Sequence, residues 1–356
     1  MLHRFAKVLA GCTVILILAG SLVTSHDAGL SVPDWPTSYG WNMFTFPPSM
    51  WVANIRYEHV HRLVASTVGL LTIVLAVWTW IADPRRWLKW FAVAALGAVI
   101  AQGILGGLTV LFFLPAPVST AHAGLAEIFF CMTVAVALFT SPTWIHGGGA
   151  VDDRQLRLLA TTTTILIYVQ ILIGATMRHT DAGLAIPDFP LMFGGIVPDH
   201  WDPKIAVHFA HRVGAVVVAA AAVTTAIYAW RHYTDRAELA QPALVLVLLI
   251  AVQMTLGALT VITRRDVWIN SIHVVGGALV LTTSLVITLR SWRVRFGARE
   301  VRLKPDTTGI TVTHATTGIG SVRLQPDPVT RGNEVRLKPD ATRGSAPLQP
   351  DQRSIP

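Results

Sequence analysis

The segment HDAGLSVPDWP at His26–Pro36 returns as TDAGLAIPDFP at Thr180–Pro190, with seven of the eleven positions identical. A second pair follows further along each copy, QGILGGLTV at Gln102–Val110 and QMTLGALTV at Gln253–Val261. The offsets between the copies are 154 and 151 residues. Because long internal repeats usually fold into structurally similar units, the sequence predicts two equivalent halves.

The composition is that of a membrane protein: 53% of the residues are hydrophobic, 13% are charged, and the mean hydropathy is +0.54. Eight apolar segments have the length of about 20 residues that crosses a bilayer as a helix. Their predicted bounds are 6–25, 60–82, 88–112, 120–140, 158–177, 207–230, 241–263 and 271–292. None of them alternates like a barrel strand, and helices satisfy their own backbone hydrogen bonds in lipid. We therefore predict an all-α polytopic membrane protein with eight transmembrane helices in two pseudo-symmetric four-helix bundles.

The chain divides into four predicted regions: an N-terminal half (1–140), a cytoplasmic linker (141–157), a C-terminal half (158–296) and a tail (297–356). The tail repeats the units VRLKPD, VRLQPD and VRLKPD among Thr, Gly and Pro, and this composition cannot build a core. We predict that the tail is disordered. We favour the interpretation that it is an extension without a function over the alternative that it binds a partner. The net charge of +8 comes partly from this tail and partly from loops, so it indicates no nucleic-acid partner.

Loop charges predict the orientation in the membrane. Basic residues concentrate at the N-terminus, in the 83–89, 141–157 and 231–240 loops, and after the last helix. The positive-inside rule then places both termini in the cytoplasm and both DAGL loops outside. The first segment also resembles a cleavable signal peptide, but its match to the fifth segment favours retention. We expect a multi-pass protein of the inner (plasma) membrane, in contact with lipid.

Four histidines lie near the starts of the even-numbered segments, at one predicted depth: His61, His122, His211 and His273. Ionisable groups in a membrane are costly and usually mark function. A single such histidine could be a hydrogen-bonded core residue, whereas four at repeat-related positions favour a site. Zinc would require more ligands around one point. Two histidines on facing helices suit the axial positions of a haem iron, which predicts one haem-sized pocket in each half.

Small residues near these histidines would let a flat ring approach the backbone, although they are also common in ordinary helix packing. They are Gly69, Gly124, Gly214 and Gly276–Gly277. The two cysteines, Cys12 and Cys131, lie in apolar segments and are expected to behave as small hydrophobic residues.

The halves differ at one chemically important position. Glu58 precedes His61 by three residues, on the same helical face, and His208 occupies the matching place before His211. A carboxylate beside a haem pocket could accept a proton, whereas a solvated glutamate favoured by the helix dipole is the alternative. The asymmetry favours catalysis. Arg62 and Arg212 follow the ligand histidines and could pair with haem propionates or reach towards lipid phosphate.

Taken together, these motifs resemble the haem A synthase family. The resemblance rests on Glu-x-x-His-Arg at 58–62, on His122, on His-Arg at 211–212, on His273 and on the two repeated segments, and it covers about 1–292. It implies oxidation of a ring methyl of haem O to a formyl group, giving haem A for terminal oxidases, with oxygen derived from water.

The resemblance also implies site roles. His211 and His273 would hold a haem b cofactor, His61 and His122 would line the substrate pocket, and Glu58 would be the catalytic carboxylate. Haem O synthase and terminal-oxidase assembly proteins are implied partners. Members with a cysteine pair in the first outer loop use it in redox chemistry, but residues 25–58 contain no cysteine.

Two other functions remain open from the sequence. A bis-histidine dihaem electron carrier would keep a permanent haem in both pockets, with Glu58 in a structural role. A transporter would fit the internal repeat but would leave the four histidines without a role.

Overall fold

Eight long helices make up most of the chain in a computed structural model, which describes residues 1–146 and 151–293. They are α1 (Leu2–Ser25), α2 (Ile55–Ala82), α3 (Arg86–Leu111), α4 (Ala116–Phe139), α6 (Arg154–His179), α7 (Pro203–Tyr233), α8 (Ala237–Ile262) and α9 (Val267–Trp292), with a short α5 (Pro142–Ile145) between the halves. All eight long helices have the length and apolar composition needed to cross a membrane. The predicted all-α polytopic membrane fold is confirmed.

The long helices begin two to five residues before the predicted apolar segments. In α6, α7 and α9 a capping carboxylate accounts for the difference, since a capping group extends a helix beyond its apolar part. The carboxylates of Asp153, Asp202 and Asp266 accept backbone N–H groups at the starts of α6, α7 and α9. The four histidines consequently lie deeper in their helices than the sequence suggested.

Each half is a ring of four helices in which chain neighbours pack side by side and the first helix closes against the fourth. Helices α1 to α4 form one ring, and α6 to α9 form the other with the same order of contacts. The rings meet through α1 with α9, α4 with α6, and α4 with α9. Helices α4 and α9 are therefore the most enclosed of the eight.

A separate apolar core fills each ring. Leu9, Leu75 and Phe129 belong to the first core, and Leu246 and Leu281 belong to the second. Lipid is as apolar as these side chains, so close packing rather than exclusion of water holds such helices together. Apolar side chains also cover the outer surfaces of the bundle, as expected for a surface in contact with lipid.

The repeated motifs form two long loops, 26–54 and 180–202, which we call the DAGL loops; the end of the bundle that carries them is the DAGL end. Their backbones match closely: Asp27 and Asp181 have φ of 51° and 53°, and both loops contain a cis peptide bond before the last proline of the motif. Each also has a small antiparallel bridge, at Ser38–Trp41 in one and Met192–Gly195 in the other. The repeat in sequence is therefore a repeat in structure.

Part of the predicted domain organisation lies outside the described residues. The tail for which we predict disorder (297–356) falls wholly beyond them, and residues 147–150, which interrupt the predicted linker (141–157), are also outside the described residues. Within that linker the structure contains α5, and α6 already begins at Arg154, before the predicted boundary at 158.

Candidate functional site

The four histidines lie in the second or third turn of their helices, near the DAGL end. His61, His122 and His273 are the seventh residues of α2, α4 and α9, and His211 is the ninth of α7. The sequence placed them at the helix starts, which is wrong by one to two turns because the helices begin earlier. Their common depth is retained, since all four helices begin at the same end.

Each imidazole lies against a glycine of the helix that precedes its own in the chain. A Cβ atom added to that glycine would lie in close contact with an atom of the ring. The distances to the ring Cε1 would be 3.0 Å from Gly20 to His61, 3.1 Å from Gly106 to His122, 2.8 Å from Gly174 to His211, and 3.2 Å from Gly257 to His273. Real Cβ atoms essentially never come as close as the Gly174 distance, and the other three distances are tighter than most real Cβ contacts, so a larger residue at any of these positions would push on the ring.

These are not the glycines that the sequence singled out. A Cβ on Gly69 would meet nothing within 4 Å, and one on Gly124 would meet Leu172 and Tyr168. The repeat itself contained the missing signal, because Gly20 pairs with Gly174 at one motif offset. Gly106 and Gly257 pair at the other offset, inside the quoted QGILGGLTV and QMTLGALTV segments. Chain order alone does not reveal which helix faces which ring.

The ring nitrogens are available for a ligand. The Nδ1 atoms of His61, His122 and His273 are buried and have no hydrogen-bond partner. Within residues 1–146 and 151–293 the Nε2 atoms of all four histidines make no hydrogen bond. None of them is a fully buried atom, so each keeps some accessible surface. An imidazole that binds iron does so through one such nitrogen.

The histidines of each half stand on diagonally opposite helices of a ring, His61 on α2 and His122 on α4, and His211 on α7 and His273 on α9. The two imidazoles of each half are near enough for the charge of one to act on the other. No group of three or more His, Cys, Asp or Glu able to hold a metal is found in the described part of the chain. Opposed imidazoles, glycine-lined on one side and with accessible Nε2 atoms, fit the two axial positions of a haem.

Glutamine side chains hold the helices around these histidines. Gln102 and its repeat counterpart Gln253 donate from Nε2 to the carbonyl oxygens of His122 (2.8 Å) and His273 (2.7 Å). The second half has an additional glutamine: Gln170 donates to the His211 carbonyl at 2.7 Å, and its Nε2 also lies 3.0 Å from His211 Nδ1. The halves are therefore not identical around their histidines.

The side chains of Glu58 and Arg62 form hydrogen bonds to the first DAGL loop, and we call this arrangement a loop clasp. One carboxylate oxygen of Glu58 accepts from Arg62 Nη2 at 2.6 Å, and the other accepts from the backbone N–H of Val32 at 2.8 Å. The guanidinium also donates to the carbonyl oxygens of Val32, Asp34 and Thr37 at 2.8–2.9 Å. Both charged side chains are buried, Glu58 being 3% and Arg62 9% exposed.

His208 and Arg212 form the same clasp in the second half. Arg212 Nε donates to His208 Nε2 at 3.1 Å, and the backbone N–H of Ile186 lies 3.3 Å from His208 Nδ1. The remaining Arg212 donors reach the carbonyl oxygens of Ile186, Asp188 and Leu191 at 2.8–3.0 Å. Glu58 and His208 thus contact equivalent residues of the two loops, Val32 and Ile186.

The sequence suggests that Arg62 and Arg212 contact haem propionates or lipid phosphate. In the structure their guanidinium N–H groups donate to the DAGL loops. Arg62 and Arg212 each make three hydrogen bonds to loop carbonyl oxygens and one to a side chain of their own helix. The sequence does not predict these loop contacts, because each loop carbonyl that accepts from Arg62 or Arg212 lies 21 to 30 residues before that arginine in the chain. A propionate contact by Arg62 or Arg212 stays a prediction.

Aspartates shape the loops themselves. Burial raises the pKa of Asp34, but hydrogen bonds from Gly40, Thr37 and Tyr39 outweigh burial and hold it below the ordinary value. Backbone N–H groups of Gly194 and Phe193 lower the pKa of Asp188 in the same way. Both carboxylates are therefore ionised at neutral pH and act as acceptors inside the turns.

His59 fills a buried place beneath the first DAGL loop. Its ring packs on Phe46 and Trp51 at centroid distances of 4.9 and 4.7 Å, and its Nδ1 lies 3.4 Å from Ser38 Oγ. In the second half Phe209 takes this place and packs on Trp201 at 5.1 Å. His59 is therefore part of the loop support rather than of the histidine pair.

Two charged residues inside the helices were missed by the sequence analysis. Glu127 of α4 is buried with Oε2 unpartnered, and Arg178 of α6 reaches across to α1. The rarity of charges within apolar helices was the signal that could have found them. Neither has a charged counterpart, since Ala278 and Thr24 occupy the matching positions.

Comparison with known proteins identifies the family of the chain. Residues 3–285 match the family model COX15-CtaA, cytochrome oxidase assembly protein. The chain is 28% identical to the heme A synthase of Geobacillus kaustophilus over 84% of this chain and 95% of the relative. It is 27% identical to that of Halalkalibacterium halodurans (81% and 97%) and 28% identical to that of Shouchella clausii (84% and 98%). With most of its length matched by the family model, the chain belongs to the COX15-CtaA family of cytochrome oxidase assembly proteins.

Proposed function

We propose that this multi-pass membrane protein is a haem A synthase, an oxidoreductase that converts haem O to haem A. The observation that carries the proposal is the pair of opposed histidines in each half, each cradled by a repeat-related glycine. The names of the relatives support the same activity. In the reaction a ring methyl group and one water would give a formyl group with release of four protons and four electrons, which an external electron acceptor would take up.

We assign the cofactor to the second half. His211 and His273 would hold a haem b, and such a haem supplies one-electron redox chemistry. The chain's own contribution there is positional: Gly174 and Gly257 let the rings approach the neighbouring helices, and Gln253 fixes the backbone at His273.

We assign the substrate to the first half, between His61 and His122. Glu58 lies on the face of α2 that carries His61, one turn nearer the DAGL end. Its carboxylate would accept a proton from the attacking water or the reacting methyl group. Arg62 and the Val32 N–H hold the carboxylate in position, so it does not have to be ordered at the moment of reaction.

We further propose that both termini face the cytoplasm in the plasma membrane, since basic loops oppose the DAGL end. The substrate then comes from a haem O synthase, and the product passes to proteins that assemble the terminal oxidase. The family description supports the second of these partners.

The test is expression of the full chain beside a haem O source, followed by extraction and identification of the haems. We expect haem b together with haem A. His61→Ala should abolish haem A and leave haem b, whereas His211→Ala should remove haem b. Haem of one type in constant amount, with no haem A under any condition, would reject the synthase.

One observation favours the second candidate, a dihaem electron carrier. The loop clasps of Glu58 and His208 are structurally equivalent, which gives Glu58 a role that requires no chemistry. A carrier would hold the same haem in both pockets, and a first-half haem would then remain through purification at the occupancy of the second.

A further inference from the structure

Three residues at successive turns of α6 line the side of the helix that faces His211: Gln170, Gly174 and Arg178, spaced four apart. Gly174 lies against the His211 ring, so its neighbours on this face border the same pocket. The repeat places Leu16, Gly20 and Thr24 at the matching turns of α1, and Gly20 lies against His61. The glycine is retained in both halves, while the amide of Gln170 and the positive charge of Arg178 occur only in the second.

Gln170 acts on the imidazole itself. Its side-chain amide lies 3.0 Å from His211 Nδ1 while it also donates to the His211 carbonyl at 2.7 Å. Hydrogen bonding at the second nitrogen fixes the orientation of a metal-binding imidazole and tunes its basicity. Leu16 has no group that could do this for His61, whose Nδ1 is buried without a partner.

Arg178 lies one turn nearer the DAGL end than Gly174. Its Nη2 donates to the Ser21 carbonyl and to Ser25 Oγ of α1, both at 2.8 Å, but its Nε is buried without a partner. In the described part of the chain no carboxylate oxygen lies within 4.0 Å of its guanidinium. The nearby Arg265 adds a second positive charge, and Asp27, which lies beyond ion-pair distance, adds an opposing negative one.

The guanidinium therefore has no carboxylate in direct contact among the described residues. The end of α6 favours a cation through the helix dipole, but this does not satisfy the buried Nε. Arg178 is also close enough to His273 for its charge to act on that imidazole. An anion at the edge of the second-half pocket would complete the site, and porphyrins carry carboxylates on their propionate chains.

We propose that Gln170 and Arg178 make the second-half pocket retain its haem, Gln170 by fixing His211 and Arg178 by pairing with a propionate carboxylate. The first half has Leu16 and Thr24 in their places and releases its haem. This inference rests on the proposed function and adds to it a reason why one pocket keeps a cofactor while the other exchanges substrate for product.

The first test measures haem loss from the purified full-length protein to excess apomyoglobin. Arg178→Gln should speed loss of the second-half haem about tenfold, and Arg178→Lys should restore part of the difference. Gln170→Leu should also speed loss and should change the electron paramagnetic resonance spectrum of the ferric haem, because the His211 ring is no longer held. Arg56→Gln, which removes an exposed cation of the same end, is the matched control and should match the unaltered protein.

The second test separates carboxylate pairing from simple helix packing. The protein and Arg178→Gln are each loaded with haem and with its dimethyl ester, in which the propionates are uncharged. The unaltered protein should retain haem about tenfold longer than the ester, and the variant should not distinguish the two. If Arg178→Gln speeds loss of both equally, Arg178 only joins α6 to α1, and the propionate assignment is wrong.

A third comparison identifies which haem is involved. The Arg178→Gln effect should persist in a His61→Ala background and vanish in a His211→Ala background. The reverse pattern would assign Arg178 to the first-half haem and overturn the proposal. Absence of haem from every variant and from the unaltered protein would instead reject the proposed function.

Discussion

Glu58 and His208 occupy the same structural position with different chemistry, and this gives a matched pair of substitutions. Glu58→Gln keeps an acceptor for the Val32 N–H but removes the carboxylate, so we expect formyl production to fall at least about a hundredfold with haem content unchanged. His208→Gln disturbs the equivalent clasp in the second half. It should reduce haem A output only a few-fold, measured as extracted haem A per protein.

The comparison separates catalysis from loop support because both variants weaken one clasp. Equal losses in Glu58→Gln and His208→Gln would indicate that the clasps matter only structurally. Normal haem A output from Glu58→Gln would exclude the carboxylate from the reaction altogether.

The glycine cradles make a second prediction at the residue scale. Gly174→Ala adds a Cβ that would lie 2.8 Å from His211 Cε1, so the ring must shift and the haem b content of the purified protein should fall. Gly69→Ala adds a Cβ with nothing within 4 Å and should leave haem content unchanged, or raise stability by up to about 1 kcal/mol through helix propensity. Unchanged haem content in Gly174→Ala would show that the ring moves freely and that the cradle is not required.

At the scale of elements, each arginine joins one helix to one DAGL loop. Arg62→Met leaves the buried carboxylate of Glu58 without its ion-pair partner, a change that typically costs about 3 kcal/mol. We expect faster hydrogen exchange at Val32 and its neighbours in loop 26–54, with the 180–202 loop unaffected. Arg212→Met should speed exchange in the 180–202 loop and leave loop 26–54 unaffected. Faster exchange in both loops in either variant would show that the two clasps are not independent.

The same elements explain what could be predicted from the sequence. Apolar length predicts the eight helices because lipid imposes it, and the repeat predicts two similar halves. The His–Gly contacts and the clasp of Arg62 depend on how neighbouring helices rotate and how loops fold back. Gly20 and Val32 have no local pattern that reports this, so Gly69 was preferred and Arg62 was assigned to a ligand or to lipid.

At the scale of the whole molecule, the four-helix rings are complete within the described residues, and the four paired histidines, the glycines against them and both clasps lie before residue 293. Deleting residues 300–356 should therefore leave haem content and haem A output unchanged, measured by spectrum and extraction. A loss of either in the shortened protein, at equal membrane expression, would show that the tail contributes to folding or to the reaction.

The two rings share one plan, so their difference in haem retention should be transferable from one to the other. Replacing Leu16 by Gln and Thr24 by Arg gives α1 the polar residues that flank Gly174 in α6. If Gln170 and Arg178 cause retention, the double variant should hold its first-half haem through purification, which raises the amount of haem per protein towards twice that of the His61→Ala variant. Turnover should fall, because product leaves a retaining pocket slowly, while the second-half haem spectrum stays the same. Leu16→Met with Thr24→Ser is the control for altered packing, and a double variant that exchanges first-half haem as fast as this control would show that retention resides elsewhere in the second ring.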